Sequence, residues 1–158
     1  MDASTFLSLT LACAPQLHAD TVRALVSTES AFNPWAIGVV GGRLDRQPRN
    51  RAEALATARA LQASGWNFSV GLGQINRGNF ARLGLTVDTA FDPCTNLTAM
   101  QTVLTECMAR VPTLHGSPQA EQIALRQALS CYYSGNFVTG FTHGYVRRVA
   151  RAMPGAPP

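Results

Sequence analysis

At 158 residues, nearly half of them apolar, the chain is long enough to bury one domain core and too apolar to be disordered. No apolar run approaches the length that spans a bilayer, so no membrane span is expected. Thirteen basic residues, all arginine, against nine acids give a net charge of +4, which favours anionic partners. No basic stripe is interleaved with aromatics, so nucleic acid is not expected to be one of them.

The N-terminal run M-D-A-S-T-F-L-S-L-T-L-A-C-A-P carries Asp2 and has no basic residue ahead of its apolar part, which makes it a poor signal peptide. A short apolar helix is expected over about Thr5 to Leu11, ending before Pro15. Asp20 is the expected N-cap of the next helix, because its carboxylate can accept from the free amides of a first turn. There Val22, Leu25, Val26 and Glu29 fall at i, i+3, i+4 and i+7 and share one face. A carboxylate on an apolar face is the oddity, since a helix normally places Leu or Val there. Desolvation favours its neutral form, which is the setting a general acid needs. The bland alternative is a rim glutamate that reaches solvent or an arginine. Asn33-Pro34 reads as the end of the helix.

Ile37 to Pro48 is a glycine-containing loop in which Gly41-Gly42 suggests a tight turn or hairpin. Asn50, with Glu53 three residues on in a pattern that resembles a capping box, opens an alanine-rich helix through Leu55, Ala58 and Leu61 that stops near Gly65. Trp66 to Asn76 reads as irregular, followed by a short helix over Arg77 to Leu83 that Gly84 ends. Asp92-Pro93 starts the central core helix, which spaces Leu97, Met100, Val103, Leu104, Cys107 and Met108 for burial. Ser117-Pro118 repeats the start signal ahead of Ile123, Leu125, Ala128, Leu129 and Tyr132. After a glycine-punctuated loop, Tyr145 to Met153 makes the last helix. With no βαβ rhythm the class is mainly α. The expectation is one domain over 1–153, of six or seven helices with at most a small β-hairpin, and a flexible tail over 154–158.

Cys13, Cys94, Cys107 and Cys131 form no C-x-x-C pair and have no clustered histidine, so a metal site is not expected. Their even number suits two disulfides in an oxidising compartment, the alternative being four buried thiols. Cys94 and Cys107 lie on one expected helix, about 20 Å apart at 1.5 Å per residue, too far to bridge. Two pairings remain: Cys13–Cys94 with Cys107–Cys131, the one preferred, or Cys13–Cys107 with Cys94–Cys131.

Three breaks in the helical pattern could hold chemistry: Glu29-Ser30, G-L-G-Q-I-N over Gly71 to Asn76, and C-Y-Y-S-G-N over Cys131 to Asn136. Gly71 and Gly73 let a backbone approach a ligand, and Gln74 offers both a donor and an acceptor for hydroxyl or acetamido groups. A phosphate cradle is excluded, because no G-x-G-x-x-G or G-K-[ST] follows a strand pattern. Phenols at the end of a helix can orient a carboxyl by hydrogen bonding or stack on a sugar face. The acids outside caps and helix surfaces are few, and Asp45 is the one candidate for a second catalytic carboxylate.

Taken in order, these stretches resemble the lytic transglycosylases of the goose-type lysozyme superfamily (glycoside hydrolase family twenty-three). The family's Glu-Ser pair at a helix end is matched by Glu29-Ser30 in S-T-E-S-A-F-N-P, and its Gly-Leu-x-Gln-Ile segment by G-L-G-Q-I-N. Its Ala-Tyr-Asn-x-Gly segment corresponds to Cys131, Tyr132, Tyr133, Ser134 and Gly135, and its Tyr-Val-x-x-Val helix to Tyr145, Val146 and Val149. More narrowly, I-G-V-V-G-G-R-L, N-F-S-V-G-L-G-Q-I-N and A-L-S-C-Y-Y-S-G-N-F resemble the peptidoglycan-cleaving subunit of bacterial type IV secretion and conjugation machines. The resemblance covers roughly Cys13 to Ala152. Tyr133 departs from the family's usual Asn, so a sugar contact is lost or passes to Asn136. Gly73 departs from Met or Phe, which would widen the groove.

The resemblance implies cleavage of the β-1,4 bond between N-acetylmuramic acid and N-acetylglucosamine, with Glu29 as acid and then base. It implies substrate contacts from Ser30, Gly71, Leu72, Gly73, Gln74, Tyr132, Asn136 and Tyr145, with Tyr145 orienting Glu29. No metal or organic cofactor is required. The implied partners are peptidoglycan strands and other secretion components, with the chain a monomer in the periplasm. The alternatives are a hydrolytic muramidase and a non-catalytic peptidoglycan-binding module.

Overall fold

The computed structural model describes residues 1–112 and 116–157, and among them helices dominate. Pro158, the end of the expected tail, lies outside the described residues. The chain divides into two compact units, Met1–Met100 and Gln101–Pro158.

The first unit opens with α1 (Ala3–Cys13), which starts earlier than expected because Asp2 caps it, accepting from the Thr5 N–H at 2.9 Å. That bond, with those from the Ser4 and Thr5 hydroxyls, holds the Asp2 carboxyl well below the usual carboxylate range. Helix α2 (Ala19–Ser30) is capped by His18 and not by Asp20. His18 has the extended backbone of a cap and its Nδ1 accepts from the Asp20 N–H at 3.2 Å. Asp20 instead sits in the first turn, where a carboxylate suits the positive end of the helix. Val22, Leu25 and Val26 are 0% exposed, so the apolar face is fully used, each side chain contributing about 1.5–3 kcal/mol.

Three strands, β1 (Ile37–Val39), β2 (Phe68–Val70) and β3 (Ile75–Asn76), form an antiparallel sheet in that order. Ile37 pairs with Val70, Val39 with Phe68, and Val70 with Ile75. The sheet is one strand larger than a hairpin, and β2 and β3 come from the segment read as irregular. Strands of two or three residues are too short to display a period of two. On the outer edge of β1, the Gln47 side-chain amide accepts from the Ile37 N–H at 2.8 Å and donates to its carbonyl at 3.0 Å. One side chain thus does for that edge what a further strand would.

Asn50 caps α3 (Arg51–Ala63) as expected, accepting from the Glu53 N–H at 2.9 Å. Only half of the capping box forms, because the Glu53 carboxylate turns to Arg46 Nη1 at 2.8 Å and the Arg49 N–H at 3.0 Å. Arg77–Asn79 is a single 3-10 turn in place of the longer helix expected there. Thr86 and Thr89 close a capping box around α4 (Val87–Ala90), which has four residues and no readable periodicity. Asp92 caps α5 (Pro93–Arg110) by accepting from the Thr95 N–H at 2.8 Å, with Pro93 first in the helix.

The second unit begins within α5 and contains α6 (Pro118–Ser134), α7 (Thr139–Thr142) and α8 (Tyr145–Ala152). Ser117 caps α6 through the Ala120 N–H at 3.1 Å. Ile123 points outward at 52% exposed, while Ala124, Ala128 and Leu129 are buried. Helix α7 packs on α6 through Gly140, whose N–H donates to Ser130 Oγ at 2.9 Å. A Cβ on Gly140 would stand 2.5 Å from Ser130 Cα, so only glycine permits that approach. Tyr145, Val146 and Val149 are buried, and Arg147, Arg148 and Arg151 form the solvated face of α8. Eight α-helices are described, the additions to expectation being the four-residue α4 and α7.

Each unit holds one disulfide, Cys13–Cys94 in the first and Cys107–Cys131 in the second, with Cα atoms 5.3 and 5.7 Å apart. This is the preferred pairing. Among the described residues no helix is long and apolar enough to cross a membrane.

Candidate active site

The expected acid, Glu29, lies in the last turn of α2, one turn beyond Leu25 and Val26, and is half-buried. The helix stops abruptly after it. Ala31 (φ 49°) and Phe32 (φ 63°) both adopt the left-handed conformation, which costs a non-glycine residue about 1–3 kcal/mol. The Phe32 ring meets Phe6 edge-on at 5.1 Å, a contact that helps hold the turn. Ser30 is buried, and its hydroxyl lies 2.9 Å from the Leu72 carbonyl and 3.1 Å from that of Val26. With one proton to give, it is shared between its own helix and the glycine-containing loop.

That loop is built from the backbone outward. Gly71 has φ 79° and its N–H donates to the Ala36 carbonyl at 2.9 Å, while Gln74 turns back to the Gly71 carbonyl at 3.1 Å. Gln74 is itself left-handed at φ 49°. Ala31, Phe32 and Gln74 are the positive-φ non-glycine residues described; the first two directly follow Glu29-Ser30 in S-T-E-S-A-F-N-P, and the third lies in G-L-G-Q-I-N. The Gln74 side chain donates through Nε2 to the Ala36 and Gly71 carbonyls at 3.0 and 3.1 Å. Both donors are therefore spent on backbone carbonyls, one in the loop and one ahead of β1, and Oε1 is what Gln74 can offer a ligand, as an acceptor. Gly38 makes room for it, since a Cβ there would stand 2.7 Å from Oε1.

Beneath the loop sits Asn96, 0% exposed, which sequence reasoning missed. Its Oδ1 accepts from the Gly73 N–H at 2.7 Å, and its Nδ2 donates to Val70 O at 3.0 Å and Ala90 O at 2.8 Å. A Cβ on Gly71 would stand 2.3 Å from Nδ2, so loop and amide are fitted to each other. The signal was present. Asn96 lies four residues before Met100 and eight before Leu104 on the buried stripe of α5, the same polar-on-apolar anomaly that marks Glu29.

Glu29, Ser30 and Gly71 to Gln74 are thus joined within the first unit through Ser30 and Leu72. Tyr132, Asn136 and Tyr145 belong to the second. Tyr132 is half-buried in the last turns of α6, and Tyr145 is 2% exposed at the start of α8. Asn136 is largely committed to its own turn: Oδ1 accepts from the Val138 and Thr139 N–H groups at 2.9 and 2.8 Å, and Nδ2 donates to Thr139 Oγ1 at 2.9 Å. Tyr133 is exposed and stacks on Tyr145. Asp45 is exposed in the loop after β1. Among the described residues no group of three His, Cys, Asp or Glu side chains could hold a metal ion.

The family described as "Transglycosylase SLT domain" matches residues 7–152. The chain belongs to the transglycosylase SLT domain family. The type IV secretion system protein virB1 of Brucella abortus biovar 1 is 48% identical over 152 residues, which is 96% of this chain and 59% of the relative. The protein virB1 of Agrobacterium tumefaciens is 39% identical over 148 residues, covering 92% of this chain and 59% of the relative. This SLT domain spans about three fifths of the length of these curated relatives. No solved structure matches it. The SLT match takes in Glu29-Ser30, the Gly71 to Gln74 loop and the two tyrosine-bearing helices alike.

Proposed function

We propose that the chain is the catalytic domain of a peptidoglycan lytic transglycosylase that opens the cell wall locally for a type IV secretion machine. The observation that carries this reading is the Ser30 hydroxyl on the Leu72 carbonyl at 2.9 Å, which fixes the helix end bearing Glu29 against the glycine-containing loop. Family membership supports the reaction class, and the virB1 relatives support the setting.

Protonated Glu29 gives its proton to the glycosidic oxygen as the bond to the muramic anomeric carbon breaks. The resulting carboxylate then takes the proton of the 6-hydroxyl of the same muramic residue, whose oxygen closes on the anomeric carbon. The products are a free 4-hydroxyl on N-acetylglucosamine and a 1,6-anhydromuramic end, with Glu29 protonated again. Water is not consumed. A tethered nucleophile has a high effective molarity, so no second carboxylate is needed. Ser30, the Gly71–Leu72–Gly73 backbone, Gln74 Oε1, Tyr132 and Asn136 contribute substrate contacts in this proposal, and Tyr145 orients Glu29. Positive charge developing at the anomeric carbon would be stabilised by the substrate's own acetamido oxygen and by backbone carbonyls.

The proposal treats 1–153 as one transglycosylase domain with 154–158 as a tail, acting as a monomer on peptidoglycan strands. Two disulfides support an oxidising compartment, and with the virB1 relatives they favour the periplasm. The test is digestion of purified peptidoglycan by wild type and Glu29→Gln, with mass spectrometry of the soluble fragments. Anhydro-muropeptides from wild type and none from the variant are expected. Reducing ends would instead identify a hydrolytic muramidase, and equal release by both proteins would remove Glu29 from the mechanism. Binding to peptidoglycan with no release would identify a binding module.

A further inference from the structure

We propose that Tyr133, braced by His143, is a positioning residue for Tyr145, resting on the reading above of Tyr145 as part of the active site. Tyr133 occupies the last turn of α6 and stays 41% exposed, yet its ring stacks on that of Tyr145 with centroids 4.5 Å apart and planes 21° apart. Tyr145 is 2% exposed, and Tyr133 is part of what covers it. The outer ring is itself fixed. Tyr133 Oη and His143 Nδ1 are 3.1 Å apart, and the His143 ring meets the phenol edge-on at 5.8 Å.

His143 is not loosely held. Its backbone N–H donates to Thr139 O at 2.9 Å, and its backbone carbonyl accepts from Arg148 Nη1 at 3.1 Å. The Arg148 guanidinium then lies 5.9 Å from the centroid of the Tyr145 ring. Tyr133, His143, Arg148 and Tyr145 therefore form a closed circuit within the second unit. A stacked ring has one soft motion, rotation of its plane, and a flat neighbour with a tethered hydroxyl resists it. The asparagine that the resembling family places at this position has no ring and cannot supply that restraint. The substitution at 133 thus trades a polar side chain for a brace on the phenol beside it.

The test uses the full chain. Tyr133→Asn is expected to lower kcat on peptidoglycan roughly tenfold, the rate cost of freeing one stacked ring, with KM changed less than about twofold. Tyr133→Phe keeps the stack and should retain more than half of kcat, and His143→Ala should fall between. The second readout needs no activity. With 3-fluorotyrosine at the three tyrosines, the Tyr145 line is assigned by Tyr145→Phe. It should move and broaden in Tyr133→Asn and stay close to its place in Tyr133→Phe. A raised KM at unchanged kcat would make Tyr133 a substrate contact and overturn the proposal, as would a Tyr145 line that ignores Tyr133→Asn. If wild type releases no fragments, the transglycosylase reading fails and the fluorine line alone decides whether the stack holds Tyr145.

Discussion

Asn96 carries more of the candidate site than any side chain that faces a substrate in the proposal. One buried amide satisfies the Gly73 N–H and two carbonyls, those of Val70 and Ala90. Asn96→Ala would remove one hydrogen bond from each of the three groups, at about 0.5–1.5 kcal/mol each, so a loss of about 1.5–4.5 kcal/mol is expected in urea unfolding. Gly71→Ala attacks the same fit from the other side. Its new methyl would need space held by Asn96 Nδ2, at 2.3 Å, on a backbone with φ 79°. The substituted loop must move, and peptidoglycan cleavage should fall more steeply than the unfolding midpoint, which paired activity and urea measurements would reveal. The left-handed turns at Ala31 and Phe32 belong with these observations, because strain of this kind persists only where packing insists on it.

At the level of elements, the start of α3 shows how a cap becomes a pH dependence. Arg46 and the Arg49 N–H both bind the Glu53 carboxylate, the arginine side chain first, and lower its pKa from 4.5 to about 2. A depressed folded-state value means that the native state favours the ionised form. The contribution is therefore complete above about pH 4.5 and is lost as pH falls through about 2. Thermal unfolding of wild type and Glu53→Gln across that window should give a difference in midpoint that shrinks on acidification. A constant difference would show that the charge is not what stabilises this helix start. Asp2, at the start of α1, is depressed by the Thr5 N–H and by the Ser4 and Thr5 hydroxyls instead of an arginine, and it adds to the acid limb.

For the whole molecule, the two disulfides set how much of its stability depends on oxidation. Cys13–Cys94 closes a separation of 81 residues and Cys107–Cys131 one of 24. Chain-entropy arguments give about 4.5 and 3.5 kcal/mol for loops of those lengths. Replacing each pair with serine should therefore cost more for the first than for the second by denaturant unfolding. The second should cost more in activity than its stability loss explains, because Cys131 immediately precedes Tyr132. No described cysteine is free, so thiol titration of the unreduced protein should find none and of the reduced protein four. The net charge of +4 spreads over arginines that are mostly helix surface, which suits the proposed substrate, a polymer with carboxylates on its peptide stems.

Much of this was legible in the chain because it is local. Asn50, Asp92-Pro93 and Ser117-Pro118 start helices through bonds that span three residues. Glu29 stands out by the 3.6 period alone, and the order of the motifs is itself specific. His18 displaced Asp20 as a cap because either residue type can close a first turn, and two positions decide it by backbone angle. The strands and the helices α4 and α7 escaped because two to four residues hold no period. The sequence by itself determined where α3, α5, α6 and α8 begin, which residues break the pattern, and that Cys94 cannot pair with Cys107. Only the tertiary structure decided that Ser30 reaches Leu72 across 42 residues, that Gln74 spends a donor on the Ala36 carbonyl ahead of β1, and that Asn96 holds the Gly71–Gln74 loop. Such partners are distant in the chain, and which polar group meets which depends on how the backbone has already folded.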